Sequence, residues 1–370
     1  MPATHMKLIH TESSCGWGGQ ELRVLAESAG MAARGHEVLI AAPAAAPIYT
    51  EALARGLAAI AVPIEKKRFL GWAAMRSVLD WKTPDLVITH SSTDSWLAAL
   101  ANVGLPSAAP LIRMRHVSAP ISANFATRWL YGRAAAHVVT TGEALRQQVM
   151  REAGLPAEHV SSVPTGIDLE TFQPGDSAQA RARLELPQDR FIIGIVATLR
   201  SWKGHRYLLD ALHQIDDERV KVVIVGGGPG EIPLQQQTQA LGLVKRVVMA
   251  GQREDVQPWL QSLDVFALPS YANEGVPQAI MQAMACGLPV ITTNVGAIGE
   301  VARDNVTALI VEPRNAAAIA AALLRLRDDE GLRRRLGEAG QVDARARFSE
   351  SRMLDAMQRI FAAAAAGRRA

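Results

Sequence analysis

The sequence predicts an α/β protein with two doubly wound parallel sheets, and three observations support this. The chain has 370 residues, too many for one ordinary core and about right for two domains. Short strand-like runs alternate with helical stretches, and many runs lack polar alternation, as strands buried on both faces do. The alternation stops in residues 166–190, which are rich in Pro, Asp and Gln, and then restarts. We place the boundary near Gln173, which gives domains over 1–172 and 173–350 and a terminal helix over 351–370.

The predicted elements follow one another as strand, helix, strand along both halves. Helices are predicted between the strands, for example over 20–34 and 204–214. Ligands of open parallel sheets bind beyond the carboxyl ends of the strands, so we expect a ligand cleft where these ends of the two domains face each other. The predicted strands cover 7–12, 37–42, 60–64, 85–91, 110–116, 137–142, 191–199, 221–227, 246–251, 265–270, 289–293 and 308–313.

Composition narrows the class of protein. Apolar residues make up 49% and charged residues 20%, as is typical of folded soluble proteins, and the net charge of +3 is too small to indicate nucleic-acid binding. Cys15 and Cys286 stand far apart in sequence, which argues against a disulfide framework and favours a reducing cytoplasm. The opening stretch MPATHMKLIHTE has no apolar core of a secretory signal, and no apolar run approaches the ~20 residues that span a bilayer. The sequence therefore predicts a cytoplasmic protein.

One carboxylate, Glu274, stands at the start of a predicted helix in YANEGVPQAIMQAMACGLPV. Pro277 suits the first helical turn, and Gly287 suits the position just after the last turn. The N–H groups of Gly275 and Val276 would then be unsatisfied at a helix N-terminus, where the macrodipole favours a phosphate. Glu274 beside them could accept hydrogen bonds from sugar hydroxyls; the alternative is that it only caps the helix.

Three further loops after predicted strands carry polar or glycine residues. Arg200 and Lys203 in LRSWKGH would neutralise a diphosphate, unless they are ordinary surface cations. Gly18 and Gly19 in SSCGWGGQE allow close approach of a ligand to the backbone, although the spacing is not that of a dinucleotide fingerprint. His116 ends the strand in LIRMRHVS and could hydrogen-bond a substrate, whereas a single His is more often structural.

The order and spacing of these motifs resemble the retaining glycosyltransferases of family 4. The resemblance implies the GT-B fold: an N-terminal Rossmann-like acceptor domain, a C-terminal nucleotide-sugar donor domain and a terminal helix that crosses back to the N-domain. The matching segments are GWGGQE near the start, ARGHEV (33–38), VPTGIDLETF (163–172), LRSWKG (199–204), VIVGGGPGE (223–231), LPSYANEGVPQAIMQAMACGLPV (268–290) and GEVARDNVTALIVEP (299–313).

The resemblance implies roles for residues of the donor domain. Glu274 matches the first Glu of the family's E-x₇-E motif, which contacts the hydroxyls of the donor sugar. Gly275 and Val276 match backbone donors to the nucleotide sugar, and Lys203 matches the lysine on the diphosphate.

The resemblance also implies roles for residues of the acceptor domain. Gly18 and Gly19 match the glycine loop that approaches the donor phosphate. His116 is similar to the histidine that meets the donor sugar at its reacting face.

Two positions depart from the family pattern. The second Glu of the motif, which holds the nucleotide ribose, is Gln282 here; its amide still donates and accepts hydrogen bonds but carries no charge. Five residues before Lys203 the family usually has Arg, and this chain has Thr198. Arg200, two residues further on, is the residue that could supply the missing guanidinium.

The expected mechanism uses no metal ion. The sequence contains no Asp-x-Asp pair that would hold a divalent cation on a diphosphate. Lys203, Arg200 and the helix N-terminus remain to stabilise the leaving group. We therefore expect a metal-independent hexosyltransferase with no cofactor beyond its donor, such as a UDP-sugar or GDP-sugar, and the family implies retention of configuration.

Two segments of the N-terminal half combine cations with large apolar side chains. EKKRFLGW (65–72) and SANFATRWLYGR (122–133) could rest on an anionic membrane surface; the alternative is solvent-facing helix with buried aromatics. The resemblance implies a glycan or lipid-linked acceptor in synthesis of lipopolysaccharide or another cell-envelope polysaccharide, at the inner face of the cytoplasmic membrane.

Two other functions fit parts of the sequence. A nucleotide-sugar 2-epimerase would need acid and base groups around the sugar, and no convincing carboxylate pair is present. A non-catalytic sugar-nucleotide binding protein would explain Gln282 and Thr198 as marks of lost activity.

Overall fold

The computed structural model describes residues 5–367, which form two compact units. Unit 1 ends at Gly166 and resumes at Glu350, and unit 2 runs from Ile167 to Ser349. The boundary expected near Gln173 lies inside unit 2, because the backbone N–H of Ile167 already donates to Phe348 O at 2.7 Å. Residues 1–4 of the predicted N-terminal domain and residues 368–370 of the predicted terminal helix lie outside the described residues.

Unit 1 contains a parallel sheet of seven strands in the order β3-β2-β1-β4-β5-β6-β7. The chain starts in the middle, winds outward to β3 and returns to β4, so the topological switch point lies between β1 and β4. His10 of β1 is in register with Ile88 of β4, and Thr11 with Thr89. The strands are β1 Lys7–Thr11, β2 Glu37–Ala42, β3 Ala58–Ala61, β4 Leu86–Thr89, β5 Leu111–Arg115, β6 Ala135–Thr140 and β7 Val160–Ser162.

Six helices of unit 1 lie between these strands. Their apolar faces pack on the sheet: Val24 and Leu25 of the first helix, for example, are fully buried against Ile40 of β2. The helices are α1 Gly19–Ala33, α2 Pro47–Ala54, α3 Phe69–Lys82, α4 Ser92–Asn102, α5 Phe125–Trp129, which continues as a π-helical turn over Leu130–Ala134, and α6 Glu143–Ala153.

Unit 2 has the same α/β architecture, with six parallel strands in the order β10-β9-β8-β11-β12-β13. Every residue of its fourth strand in sequence, Val265–Leu268, is buried, which explains the absence of polar alternation. The strands are β8 Phe191–Val196, β9 Val220–Val225, β10 Val247–Gly251, β11 Val265–Leu268, β12 Val290–Thr292 and β13 Ala308–Ile310. The helices are α7 Ser177–Arg183, α8 His205–His213, α9 Glu231–Ala240, α10 Gln257–Gln261, α11 Gln278–Ala285, α12 Ala316–Asp328 and α13 Glu330–Arg347.

The last helix, α14 (Glu350–Ala366), belongs to unit 1. Met357 and Phe361 are fully buried in one core with Leu8 of β1. A Cβ on Gly30 of α1 would lie 2.3 Å from the Leu354 side chain, so the two helices pack where a glycine leaves room. Within residues 5–367, no helix has the length and apolarity to cross a membrane.

Substitution of Phe361 tests how much α14 contributes to the stability of unit 1. We expect Phe361→Ala to lower the free energy of unfolding by about 3–5 kcal/mol, because a fully buried phenyl ring is lost and a cavity remains. The measurement is urea denaturation followed by circular dichroism. Phe125→Ala, at an exposed phenylalanine of the same unit, is the matched control and should change stability by less than about 0.5 kcal/mol. Equal unfolding midpoints for the two variants would contradict the prediction.

Candidate functional site

Two loops of unit 2 meet at the carboxyl ends of adjacent strands. β8 pairs with β11 in the sheet, so the loop after β8 and the loop after β11 start side by side. The N–H of Tyr271 donates to Trp202 O at 2.8 Å and ties the loops together. Gly204 has a φ of +82°, and a Cβ there would lie 2.0 Å from Pro269 O. The glycine of the Lys-Gly pair is therefore what lets the two loops approach.

An ion pair joins the two loops at their tips. Lys203 Nζ lies 2.8 Å from Glu274 Oε1 and 2.9 Å from Oε2. Ser270 Oγ donates to Oε1 at 2.6 Å. Glu274 is only 3% exposed and the Lys203 side chain 19% exposed, so this is a largely desolvated pair. The structure thus brings together the residue expected at the sugar and the residue expected at the diphosphate.

The backbone around Glu274 is fixed independently of its side chain. Ala297 N donates to Glu274 O at 3.3 Å. Gly296 has a φ of +61°, and a Cβ there would lie 2.1 Å from the same carbonyl oxygen. Thr293 Oγ1 donates to Ser270 O at 2.6 Å. The loop after β12 therefore holds the loop after β11 in place.

The helix N-terminus beside Glu274 has free backbone donors. α11 begins at Gln278, with Pro277 as its N-cap rather than in its first turn. Among residues 5–367, the N–H groups of Gly275 and Val276 have no protein hydrogen-bond acceptor. Gln282 lies in the second turn of the same helix and is half-buried. These N–H groups and the helix macrodipole make the end of α11 favourable for an anion.

Arg200 and the glycine-rich loop after β9 border the same pair of loops. Arg200 is exposed, with its guanidinium 5.8 Å from the centroid of the Trp202 ring, and it forms no ion pair within the described chain. Leu199 N donates to Gly227 O at 3.0 Å, and Gly230 N donates to Leu199 O at 2.8 Å. Arg200 is therefore a solvent-exposed cation on a loop whose backbone is anchored by hydrogen bonds, three residues before Lys203.

His116 in unit 1 is part of a stack of three histidines that sequence reasoning missed. His10 is the next-to-last residue of β1, His90 follows β4 and His116 follows β5, and these three strands are adjacent in the sheet. His10 Nδ1 lies 3.0 Å from His90 Nε2, and His90 Nδ1 lies 3.1 Å from His116 Nε2. Ring centroids are 5.3 Å apart in both pairs, with interplanar angles of 18° and 27°. The signal in the sequence was that each His stands at the carboxyl end of a strand.

Burial keeps the histidine stack neutral. It lowers the pKa of His10 to about 3, with the nearby Arg23 charge adding to the effect. Burial also holds the pKa of His90 well below its usual range, and the pKa of His116 likewise, with Arg23 a further cause for each. At neutral pH each ring therefore carries one proton.

The glycine loop of unit 1 is held by a buried glutamate. Glu12 accepts hydrogen bonds from Ser14 N at 2.8 Å and from the Gln20 side chain. Burial, together with the charge of the neighbouring Asp94, raises the pKa of Glu12 to about 8. Gly18 is the N-cap of α1 and is half-buried, and Gly19 is the first, exposed residue of that helix. These bonds fix the loop that presents both glycines.

The two cationic and aromatic segments of unit 1 meet around Trp96. The Trp96 ring stacks on Trp129 with centroids 5.9 Å apart, and Lys67 Nζ lies 5.7 Å from the Trp96 centroid. At the starts of α3 and α5, Phe69 is 79% and Phe125 is 85% exposed. The segments 65–72 and 122–133 thus share one surface with protruding aromatic rings, which we call the Trp96 surface.

Family models match most of the chain. The model described as glycosyl transferases group 1 matches residues 176–343, and the model described as glycosyltransferase family 4 matches residues 17–171. The first match lies within unit 2, and the second lies almost wholly within unit 1.

Curated relatives carry a consistent name. The chain is 30% identical over 314 residues to a D-inositol 3-phosphate glycosyltransferase of Streptomyces bingchenggensis, which covers 81% of this chain and 65% of that protein. It is 32% identical over 246 residues to the enzyme of the same name from Xylanimonas cellulosilytica, covering 61% and 58%. The chain thus spans less than two thirds of the length of either relative.

Solved structures share the fold over nearly the full chain. A glycosyltransferase from Rickettsia africae superposes with a TM-score of 0.87 at 19% identity, covering 98% of this chain and 99% of the other. HepE of Anabaena in complex with UDP-glucose gives a TM-score of 0.85 at 23% identity, covering 97% and 100%. The predicted GT-B class, built of two Rossmann-like units, is confirmed.

The Lys203–Glu274 pair can be tested by its effect on stability. We expect Lys203→Ala to lower the free energy of unfolding by about 3 kcal/mol, because it leaves a buried carboxylate without its cation. Adding Glu274→Gln to that variant should recover most of the loss. Urea denaturation of the two single variants and the double variant measures the coupling. Lys245→Ala, at an exposed lysine of the same unit, is the control. Additive losses in the double variant would show that the two side chains are not coupled.

Proposed function

Because the chain belongs to the glycosyltransferases of family 4, we propose that it moves a sugar from a nucleotide diphosphate donor to a glycan or lipid-linked acceptor. We propose further that the reaction retains the anomeric configuration and needs no metal ion. The observation that carries this is the Lys203–Glu274 pair beside the free N–H groups at the start of α11. It combines one cation, one carboxylate and a helix N-terminus: Lys203 Nζ lies 2.8 Å from Glu274 Oε1, and α11 begins four residues after Glu274.

The cationic groups suit the diphosphate of such a donor. A lysine ammonium has three donors, and contact with the two oxygens of Glu274 leaves one for a phosphate oxygen. Gly275 and Val276 offer N–H groups at the positive end of α11. Arg200 is free within the described chain to add a bidentate contact. The binding of UDP-glucose by HepE makes a UDP-sugar the first donor to test.

The carboxylate suits the sugar of the donor. Glu274 Oε1 accepts from Ser270 and faces Lys203, so Oε2 keeps an unused lone pair for a sugar hydroxyl. Because Lys203 and Ser270 hold the carboxylate, it is already oriented before a donor binds. Pre-orientation of this kind lowers the cost of binding and of reaching the transition state.

The proposed metal-free catalysis requires protein cations and backbone donors where the negative charge develops. As the anomeric C–O bond breaks, charge accumulates on the leaving diphosphate. Lys203, Arg200 and the helix N-terminus can stabilise it, each contact contributing about 2.7–4 kcal/mol by comparison with other donor deletions. The sequence offers no Asp-x-Asp pair for a bridging cation. Retention without an evident carboxylate nucleophile favours attack on the front face, assisted by the leaving phosphate.

Turnover of a nucleotide sugar tests the donor chemistry. We expect slow release of UDP from UDP-glucose without acceptor, unchanged in excess EDTA, with the α-anomer of the sugar as first product by NMR. Lys203→Ala should lower kcat about 10²–10³-fold, the usual cost of losing a preorganised donor to a developing anion. Lys245→Ala is the control.

Several results would count against parts of the proposal. EDTA inhibition that Mg²⁺ reverses would overturn metal independence, and a β-anomer would overturn retention. Formation of an epimerised nucleotide sugar would favour an epimerase instead. A thermal-shift panel in which no nucleotide sugar raises stability would overturn the donor class.

The acceptor is proposed to be presented at a membrane. The Trp96 surface combines Phe69, Leu70 and Phe125, all more than 65% exposed, with Lys66 and Arg68, which are exposed cations. Aromatic rings at the interface and cations near anionic headgroups are the features by which peripheral proteins bind membranes. This surface supports a lipid-linked acceptor in cell-envelope polysaccharide synthesis; the relatives' name makes a phosphorylated polyol the alternative to test.

Vesicle flotation tests the membrane proposal. We expect binding to vesicles rich in phosphatidylglycerol at low salt, with weaker binding at high salt because about 1 kcal/mol per cation is screened. Phe69→Ser combined with Leu70→Ser should abolish most of the binding. Ile232→Ser, at an equally exposed apolar residue of unit 2, should leave it unchanged. Equal flotation of both variants would rule out the Trp96 surface.

A further inference from the structure

The two contacts within the histidine stack restrict where its protons lie. A neutral imidazole has one N–H donor and one bare nitrogen acceptor. His90 uses both nitrogens, Nε2 toward His10 and Nδ1 toward His116. If His90 donates from Nδ1, then His10 donates from Nδ1 and His116 accepts at Nε2. If His90 donates from Nε2, then His10 accepts at Nδ1 and is protonated at Nε2. His116 then donates from Nε2 and is bare at Nδ1. No other neutral arrangement satisfies both contacts.

The buried end of the stack selects between these arrangements. Within the described chain, His10 Nε2 is buried and has no hydrogen-bond partner. The first arrangement leaves a bare lone pair at this atom, and the second leaves an N–H donor. Buried N–H groups without acceptors are the rarer of the two defects in proteins.

The backbone of His90 is anchored by a carboxylate. Asp94 Oδ2 accepts from His90 N at 2.8 Å and from Thr11 Oγ1 at 2.8 Å. Asp94 Oδ1 accepts from Ser91 N at 2.9 Å, as the N3 residue of the capping box that starts α4. The backbone of the middle histidine is therefore hydrogen-bonded to the N-terminus of α4, and its ring lies between His10 of β1 and His116, which follows β5. This rigid support is what allows a ring-to-ring contact to select a tautomer.

We propose that His10 and His90 are positioning residues that hold His116 as the neutral Nδ1–H tautomer, so that a ligand at His116 meets only a hydrogen-bond donor. This deepens the proposed function and rests on it. His116 Nε2 is occupied by His90, and Nδ1 already carries a proton, so His116 does not act as a general base. Since the stack ends at a buried atom without a partner, no proton passes along it.

The test reads the tautomer directly. Long-range ¹H–¹⁵N correlation spectra of protein labelled with ¹⁵N-histidine distinguish protonated from bare ring nitrogens, and His116→Gln assigns the His116 signals. We expect wild-type His116 at pH 7 to be protonated at Nδ1 and bare at Nε2. In His90→Phe we expect Nε2 of His116 to become protonated in a substantial fraction of molecules. The kcat for UDP-glucose should fall about tenfold, the worth of one hydrogen bond, with KM changed less than twofold.

Controls separate positioning from general damage. His137→Phe removes a half-buried histidine of the same unit that contacts Ser161 Oγ at 2.8 Å, and it should leave the His116 signals and kcat unchanged. His90→Gln serves if His90→Phe does not fold. Wild-type His116 that is protonated at Nε2, or charged at pH 7, overturns the proposal without any variant. Unchanged His116 signals in a folded His90 variant overturn the role of His90.

The readouts also keep the two proposals apart. The expected tautomer without turnover of any nucleotide sugar counts against the proposed function and leaves the tautomer assignment standing. Turnover by a protein whose His116 is protonated at Nε2 counts against the histidine proposal alone.

Discussion

The contact between Lys203 and Glu274 is the interaction on which the candidate site depends. It joins residues 71 positions apart in sequence, and it exists because β8 and β11 are neighbours in a parallel sheet. A carboxylate that is 3% exposed is costly unless a cation and further hydrogen bonds compensate it, and Lys203 and Ser270 supply both. Removing any one partner therefore affects the others. The same contacts fix the positions of the carboxylate that we propose for the sugar and of the cation that we propose for the diphosphate.

The repeated strand-and-helix pattern was sufficient to predict the fold, but some short elements and some element ends were not predicted from it. Strand β2 has the predicted bounds, and α1 and α8 lie within one residue of prediction at each end. β7 was missed because its residues Val160–Ser162 include two serines and lack the continuous apolar run by which the other short strands were predicted. The predicted strand over 191–199 runs past the observed end at Val196, because Leu199 is buried and the N–H groups of Ala197 and Leu199 still donate to Val225 O and Gly227 O.

The sequence was sufficient to predict which residues belong to the candidate site, but not which of them contact one another. Glu274, Lys203 and the start of α11 could be chosen because carboxylates, cations and free N–H groups after strands are unusual in a buried sheet. Their contacts could not be predicted, because they depend on which strands lie side by side in the sheet. The histidine stack was missed for the same reason: His10 and His90 lie in apolar runs and look structural one at a time. Only the strand order β1-β4-β5 shows that the three histidines stand at the carboxyl ends of neighbouring strands.

The place of α14 in unit 1 has a consequence for how the molecule is made. Unit 2 is one continuous segment, whereas unit 1 takes its first 166 residues from the start of the chain and its last helix from beyond residue 349. During synthesis from the N-terminus, the later-translated unit can complete its core while the earlier one still lacks Met357 and Phe361. Until α14 is translated, the apolar residues of unit 1 that it covers in the finished protein, Leu8 among them, remain exposed.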